Sequence, residues 1–133
     1  MKKKILQYSD LASIEADENN EKLVNLSLLS PQILAEYQKK DMLKYVGNEM
    51  YVRQGIFDML KKASDKLIKI NSEYRLKIVY AYRHPEIQQQ YFDKRKKEIK
   101  FVEPTLSEKD LNNKTHLFVA APDVAGHTVG GAI

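Results

Sequence analysis

The chain has 133 residues, 43% hydrophobic and 30% charged, an ordinary balance for one globular domain with a real core. Its 22 basic and 18 acidic residues leave a net charge of +4, and with no basic tail or nucleic-acid motif this mild excess does not point to nucleic acid. There is no cysteine, which excludes disulfides and thiolate metal sites, so any metal must be held by His, Asp or Glu, and His84, His116 and His127 become the residues to follow.

Met1-Lys2-Lys3-Lys4 has the basic opening of a signal peptide, but Gln7, Ser9 and Asp10 break the apolar run that should follow. No stretch reaches the length of a membrane span, and the expectation is a cytoplasmic protein that does not use a membrane. Residues 10 to 22 are acidic and polar, a surface segment or an unstable first turn. Leu23-Val24-Asn25-Leu26 is short and apolar and reads as a strand. Ser30-Pro31 predicts a helix start, with a capping serine and proline at the first helical position. Residues 32 to 46 show no clear period. From about Met50 to Ile70 the apolar residues Val52, Ile56, Leu60, Ala63, Leu67 and Ile70 recur at steps of three and four, which predicts the clearest helix. Its stripe reads as core-facing rather than as a partner-binding face.

Leu76 to Arg83 predicts a strand, with Leu76, Ile78, Tyr80 and Tyr82 on one face and Lys77, Val79, Ala81 and Arg83 on the other. Pro85 stops it and suits the first turn of a helix running to about Lys100, with Ile87, Tyr91 and Phe92 on one side and a solvated charge run at 93 to 97, where Asp93 and Lys97 are spaced to pair. Thr105-Leu106-Ser107-Glu108 matches a capping box and predicts a short helix after it. Residues 117 to 121 are apolar, and His116 before them reads as a loop histidine. No repeat is visible. Strands and helices without regular alternation indicate an α+β fold in one domain over residues 1–133, with 1–21 as a polar N-terminal segment.

Two segments carry chemistry. Tyr80-Ala81-Tyr82-Arg83-His84-Pro85 puts an arginine at a strand end, just before a helix. A guanidinium there can grip a carboxylate or a developing oxyanion in two-pronged fashion, although a surface arginine in a turn is the commoner outcome. The second segment is the tail, where Gly126, Gly130 and Gly131 surround His127. Glycine at that density permits tight turns or a close approach of backbone to a ligand. His127 entering a small-residue strand can be a metal ligand, but one histidine is not a zinc site, since a catalytic zinc takes three protein ligands and a water.

Taken together, Tyr-Arg-x-Pro before a helix and His-x-x-Gly-x-Ala-apolar some forty residues later resemble the D-alanyl-D-alanine dipeptidases of the VanX type, zinc D,D-peptidases with a Hedgehog-like fold. The resemblance covers most of residues 22–133. It implies a small antiparallel sheet flanked by helices, cut off before the sheet is complete. It implies zinc as cofactor, with His127 as a metal ligand, and D-alanyl-D-alanine or a related cell-wall dipeptide as substrate. Arg83 matches the arginine thought to stabilise charge in the transition state. The family's motif runs Ser-x-His-x-x-Gly-x-Ala-x-Asp. Ala125 stands at the serine, and the aspartate would be residue 134. The family's Glu-x-x-His, source of the general base and the last zinc ligand, would lie further on. The expectation is therefore the N-terminal part of a peptidase, ending on the apolar Ala132-Ile133 in what reads as a buried strand. The alternatives are an inactive remnant or binding module, and completion in trans by a separate C-terminal half, by dimer exchange, or with His84 or His116 as substitute ligands.

Overall fold

A computed structural model describes residues 6–15 and 17–133. The basic start Met1–Lys4 lies outside them. The fold is mixed α+β, with five helices and two small two-stranded sheets among the described residues. In chain order these are α1 (Tyr8–Ala12), β1 (Leu23–Asn25), a 3-10 turn (Leu26–Leu29), β2 (Ile33–Ala35), α2 (Leu43–Val46), β3 (Tyr51–Arg53), α3 (Gln54–Ile70), β4 (Leu76–Ile78), α4 (Pro85–Val102), α5 (Glu108–His116) and a second 3-10 turn (Gly126–Val129). Among the described residues no helix is long and apolar enough to cross a membrane.

The chain divides into two compact units. One takes Asn19–His84 with Gly126–Ile133, the other Pro85–Ala125 with the described residues of Met1–Glu18. In the first unit β1 pairs antiparallel with β3, Val24 opposite Val52, and β2 pairs parallel with β4, Leu34 opposite Lys77. The core beneath them gathers Leu26, Leu29, Ile33, Met50, Val52, Leu60, Ile78 and Ala81, with Ile56 and Phe57 of α3 packed against it. In the second unit α4 packs on α5. Ile87, Phe92 and Ile99 are buried on α4, and Leu111 and Thr115 on α5. Buried polar groups there are satisfied: Thr115 Oγ1 donates to the Leu111 carbonyl at 2.7 Å and Gln88 Nε2 to the Ala120 carbonyl at 2.6 Å.

Several elements differ from the sequence reading. Ser30 ends the first 3-10 turn, its N–H on the Ser27 carbonyl, and the chain passes cis Pro31 into β2 rather than a helix. Ile33–Ala35 supplies the partner that β4 needs, a pairing 43 positions apart (Ile33 with Leu76) to which local periodicity is blind. The long helix starts at Gln54, because Tyr51–Arg53 extends to pair with β1. Its inward face runs through Ile56, Phe57, Leu60 and Ser64, while Ala63 is exposed and Ile70 is 78% exposed. Apolar spacing alone missed Ser64, whose hydroxyl is held by the Gln32 carbonyl at 3.3 Å. The cap of α5 is Ser107, not Thr105: its Oγ accepts the Asp110 N–H at 3.1 Å and donates to the Asp110 carboxylate at 2.6 Å. On α4, Asp93 takes the Gln89 amide at 2.8 Å, and Arg95 pairs with Glu98 at 3.0 Å.

Candidate functional site

The site is built where β4 ends. Only Leu76–Ile78 stays in the parallel ladder. Beyond it each residue bonds to a different neighbour. The Val79 carbonyl accepts the Gln38 N–H, the Tyr82 N–H donates to the Tyr51 carbonyl, and the Arg83 N–H donates to the His127 carbonyl at 2.9 Å. A continuous strand to Arg83 is therefore not formed, since its backbone groups are shared among three segments. This exchange of partners brings Arg83 and His127, 44 positions apart in sequence, to one place.

The tail is a 3-10 turn followed by irregular chain, not a buried strand, and Ile133 is 53% exposed. The Gly130 N–H closes on the His127 carbonyl at 3.2 Å and the Gly131 N–H on the Gly126 carbonyl at 2.9 Å. A strand is precluded because these backbone groups are already used within the segment. Gly130 has φ +71 and its carbonyl accepts the Arg53 N–H at 3.0 Å, so it docks the tail on the end of β3. The Arg53 side chain adds a bond from Nε to the Val129 carbonyl at 2.8 Å. The glycine-rich tail thus provides the tight turn that its composition suggested, and its backbone approaches that of Arg53.

His127 is half-buried, with Nδ1 2.9 Å from the Ala81 carbonyl. A carbonyl only accepts, so the proton sits on Nδ1 and Nε2 keeps its lone pair. Ala81 is fully buried in the core, which makes this anchor rigid. Burial pushes the imidazole below the ordinary histidine range. The Ala81 carbonyl opposes this, Arg83 adds to it, and the Ala132 carbonyl opposes it again. The neutral ring is therefore the form the fold holds. Its stabilising contribution is whole above the ordinary histidine range of about 6.5 and is lost as pH falls through the lowered value. Titration of the three imidazoles by NMR should find His127 as the Nδ1–H tautomer, charging below the ordinary range. A His127 that charges at or above about 6.5 would contradict this environment.

Arg83 lies over the Tyr80 ring, with Cζ 4.2 Å from the centroid. Its Nε is buried and makes no hydrogen bond. The Tyr80 ring also meets His127 edge-on at 6.1 Å and Tyr37 edge-on at 5.2 Å. The Tyr80 hydroxyl bonds to Asp41 Oδ1 at 3.0 Å, and the Tyr37 hydroxyl donates to the Tyr82 carbonyl at 3.3 Å. Tyr37 is pushed up to about 12, first by burial, then by Tyr80, Asp41 and Tyr82, with Arg83 opposing. Sequence reasoning found Arg83 and His127 but not Tyr37, Asp41 or Tyr80. Two of those come from the segment with no readable period, and Tyr80 reads as one more strand residue.

The other two histidines are engaged elsewhere. His84 stacks on Tyr45 with ring centroids 3.7 Å apart, and its backbone N–H donates to Met42 Sδ at 3.4 Å. His116 is the last residue of α5 rather than a loop residue. It belongs to the other unit, where its Nε2 accepts the Ala121 N–H at 3.2 Å and Tyr8 lies 4.7 Å from its ring. Among the described residues no three His, Cys, Asp or Glu side chains gather as a metal site. His127 has its tautomer fixed by the Ala81 carbonyl and its Nε2 lone pair kept; the described residues do not make up a zinc site by themselves.

The fold and site therefore define a mixed α+β protein that presents an imidazole, a guanidinium and a tyrosine pair together. Comparison with models of known protein families, with curated proteins and with solved structures gives no match.

Proposed function

We propose that this chain is part of a zinc D-alanyl-D-alanine dipeptidase with a Hedgehog-like D,D-peptidase fold, in which His127 is one metal ligand and Arg83 faces the charge that develops on the scissile carbonyl. The observation that supports this reading is the joining of the two motifs: the Arg83 N–H on the His127 carbonyl at 2.9 Å, with the Tyr80 ring against both side chains. Zinc held by His127 and the further ligands would acidify a water and polarise the carbonyl. The chain's own part is to hold the imidazole in its Nδ1–H tautomer through Ala81 and to present a permanently charged two-pronged donor at Arg83. The remaining ligands and the general base would come from polypeptide beyond residue 133, or from a second chain in trans. The setting proposed is a cytoplasmic one, acting on cell-wall dipeptides without nucleic acid or membrane.

A second reading is a binding module or inactive remnant with the same shape. The lack of a three-ligand cluster among the described residues favours it for residues 1–133 taken alone. Hydrolysis of D-alanyl-D-alanine separates the two. Zinc-dependent turnover by this chain, joined to or mixed with the polypeptide that supplies an aspartate and a Glu-x-x-His, is the result the first reading expects. No turnover from a folded, zinc-bound assembly would leave the second.

A further inference from the structure

We infer that Tyr80 is a positioning residue for Arg83, with Asp41 and Tyr37 as its support. An arginine side chain has several rotatable bonds, and a guanidinium that is to meet one oxyanion must lose that freedom beforehand. Two contacts fix the backbone that carries the side chain, and a third seats the guanidinium. The backbone at Arg83 is pinned to the His127 carbonyl, and the preceding Tyr82 carbonyl is held by the Tyr37 hydroxyl. The guanidinium rests on the Tyr80 face at 4.2 Å, an attraction between a cation and the negative face of a ring that strengthens as water is excluded. The Tyr80 ring is itself fixed, because its hydroxyl is tied to Asp41 at 3.0 Å and Tyr37 closes on it edge-on at 5.2 Å. The aromatic pair joins two separate segments, the link after β2 and the link after β4, so the arginine is set by a bracket rather than by its own turn.

This inference rests on reading Arg83 as the group that meets the developing charge, and its test is chosen to stand apart from that reading. The 133-residue chain is compared as wild type, Tyr80→Leu and Tyr80→Phe. The readouts are hydrogen exchange and 15N relaxation at the Arg83 Nε–Hε group, with the backbone amides of β3 and β4 as the check on folding. Tyr80→Leu removes the ring face and should speed Hε exchange roughly tenfold or more, the size expected for losing a partly desolvated cation–ring contact. Tyr80→Phe keeps the face and loses the Asp41 bond, so it should restore most of the protection, to within about threefold of wild type. If Tyr80→Leu folds and leaves Arg83 as protected as in wild type, the inference is overturned. It is overturned equally if Tyr80→Phe loosens Arg83 as much as Tyr80→Leu, because the ring face would then not be the seat. If Tyr80→Leu does not fold, Tyr80→Phe is judged against wild type alone: Hε exchange within about threefold is the expected result, and exchange faster by roughly tenfold or more overturns the inference. Failure of the peptidase reading looks different: no zinc effect at His127, with Arg83 still protected in the wild type and released in Tyr80→Leu.

Discussion

Arg83→Ala should lower the turnover of D-alanyl-D-alanine by roughly 10² to 10³ in any zinc-loaded assembly that contains this chain, the loss typical for removing one preorganised donor to a developing oxyanion. The fold should survive, because the contact that joins Arg83 to the tail is its backbone N–H on His127, which alanine retains. Arg83→Lys should not restore the rate. An ammonium keeps the charge but has neither the planar two-pronged geometry nor the flat face that lies on Tyr80. The readout is kcat at saturating dipeptide beside a urea melt of the same variant. A rate within a few-fold of wild type in a well-folded Arg83→Ala protein would remove Arg83 from the chemistry.

The largest stability effect at the site falls on Gly130. Alanine at φ +71 sits in a region that costs an L-residue about 1–2 kcal/mol. The added Cβ would come 2.6 Å from Leu23 Cδ2 and 3.4 Å from the Arg53 backbone nitrogen. Leu23 is 47% exposed and can swing aside in part, so the total is expected at about 2–3 kcal/mol. Gly131→Ala is the matched control. Its Cβ would meet nothing closer than 3.6 Å, and it should change stability by less than about 1 kcal/mol. Equal effects of the two substitutions in a denaturant melt would mean that the tail is not docked on β3 through Gly130. Because Gly130 follows the turn that carries His127, the same substitution should also broaden or shift the His127 ring signals, and Gly131→Ala should not.

Much of the secondary structure was legible where the signal is local. β1, the body of α3, the start of α4 at Pro85 and the existence of α5 follow from apolar spacing, proline and a capping-box pattern set two residues before the observed cap. Two of the misreadings share one cause. Ser30-Pro31 has the chemistry of a helix start, yet Ile33–Ala35 is drawn into a sheet by Leu76–Ile78, far along the chain. Val52 fits the helical stripe of α3, yet it lies in β3 opposite Val24. In both cases a distant strand outweighs a local preference, which is the usual limit of propensity. The site was legible as residue types but not as a structure. Arg83 and His127 stand out as a permanent cation before a helix and an imidazole among glycines. The Ala81 carbonyl that sets the imidazole's tautomer, and the Tyr37–Tyr80 pair beneath the guanidinium, depend on three segments meeting. No spacing within one segment announces that. The density of glycine in the tail did foretell a tight turn, and the docking of Gly130 on Arg53 comes with it.

The central claim is that His127 is the histidine this chain offers to a metal. It is tested most directly by titrating zinc into the purified chain, without metal-binding tags, while following the ring nitrogens of His84, His116 and His127 by NMR and the heat by calorimetry. The account predicts weak binding, micromolar or poorer as expected for too few ligands, centred on His127 Nε2 and lost in His127→Gln. A zinc effect at His84 or His116 with His127 unmoved would contradict it. Tight binding of one zinc per chain would contradict the part that places the remaining ligands outside residues 1–133.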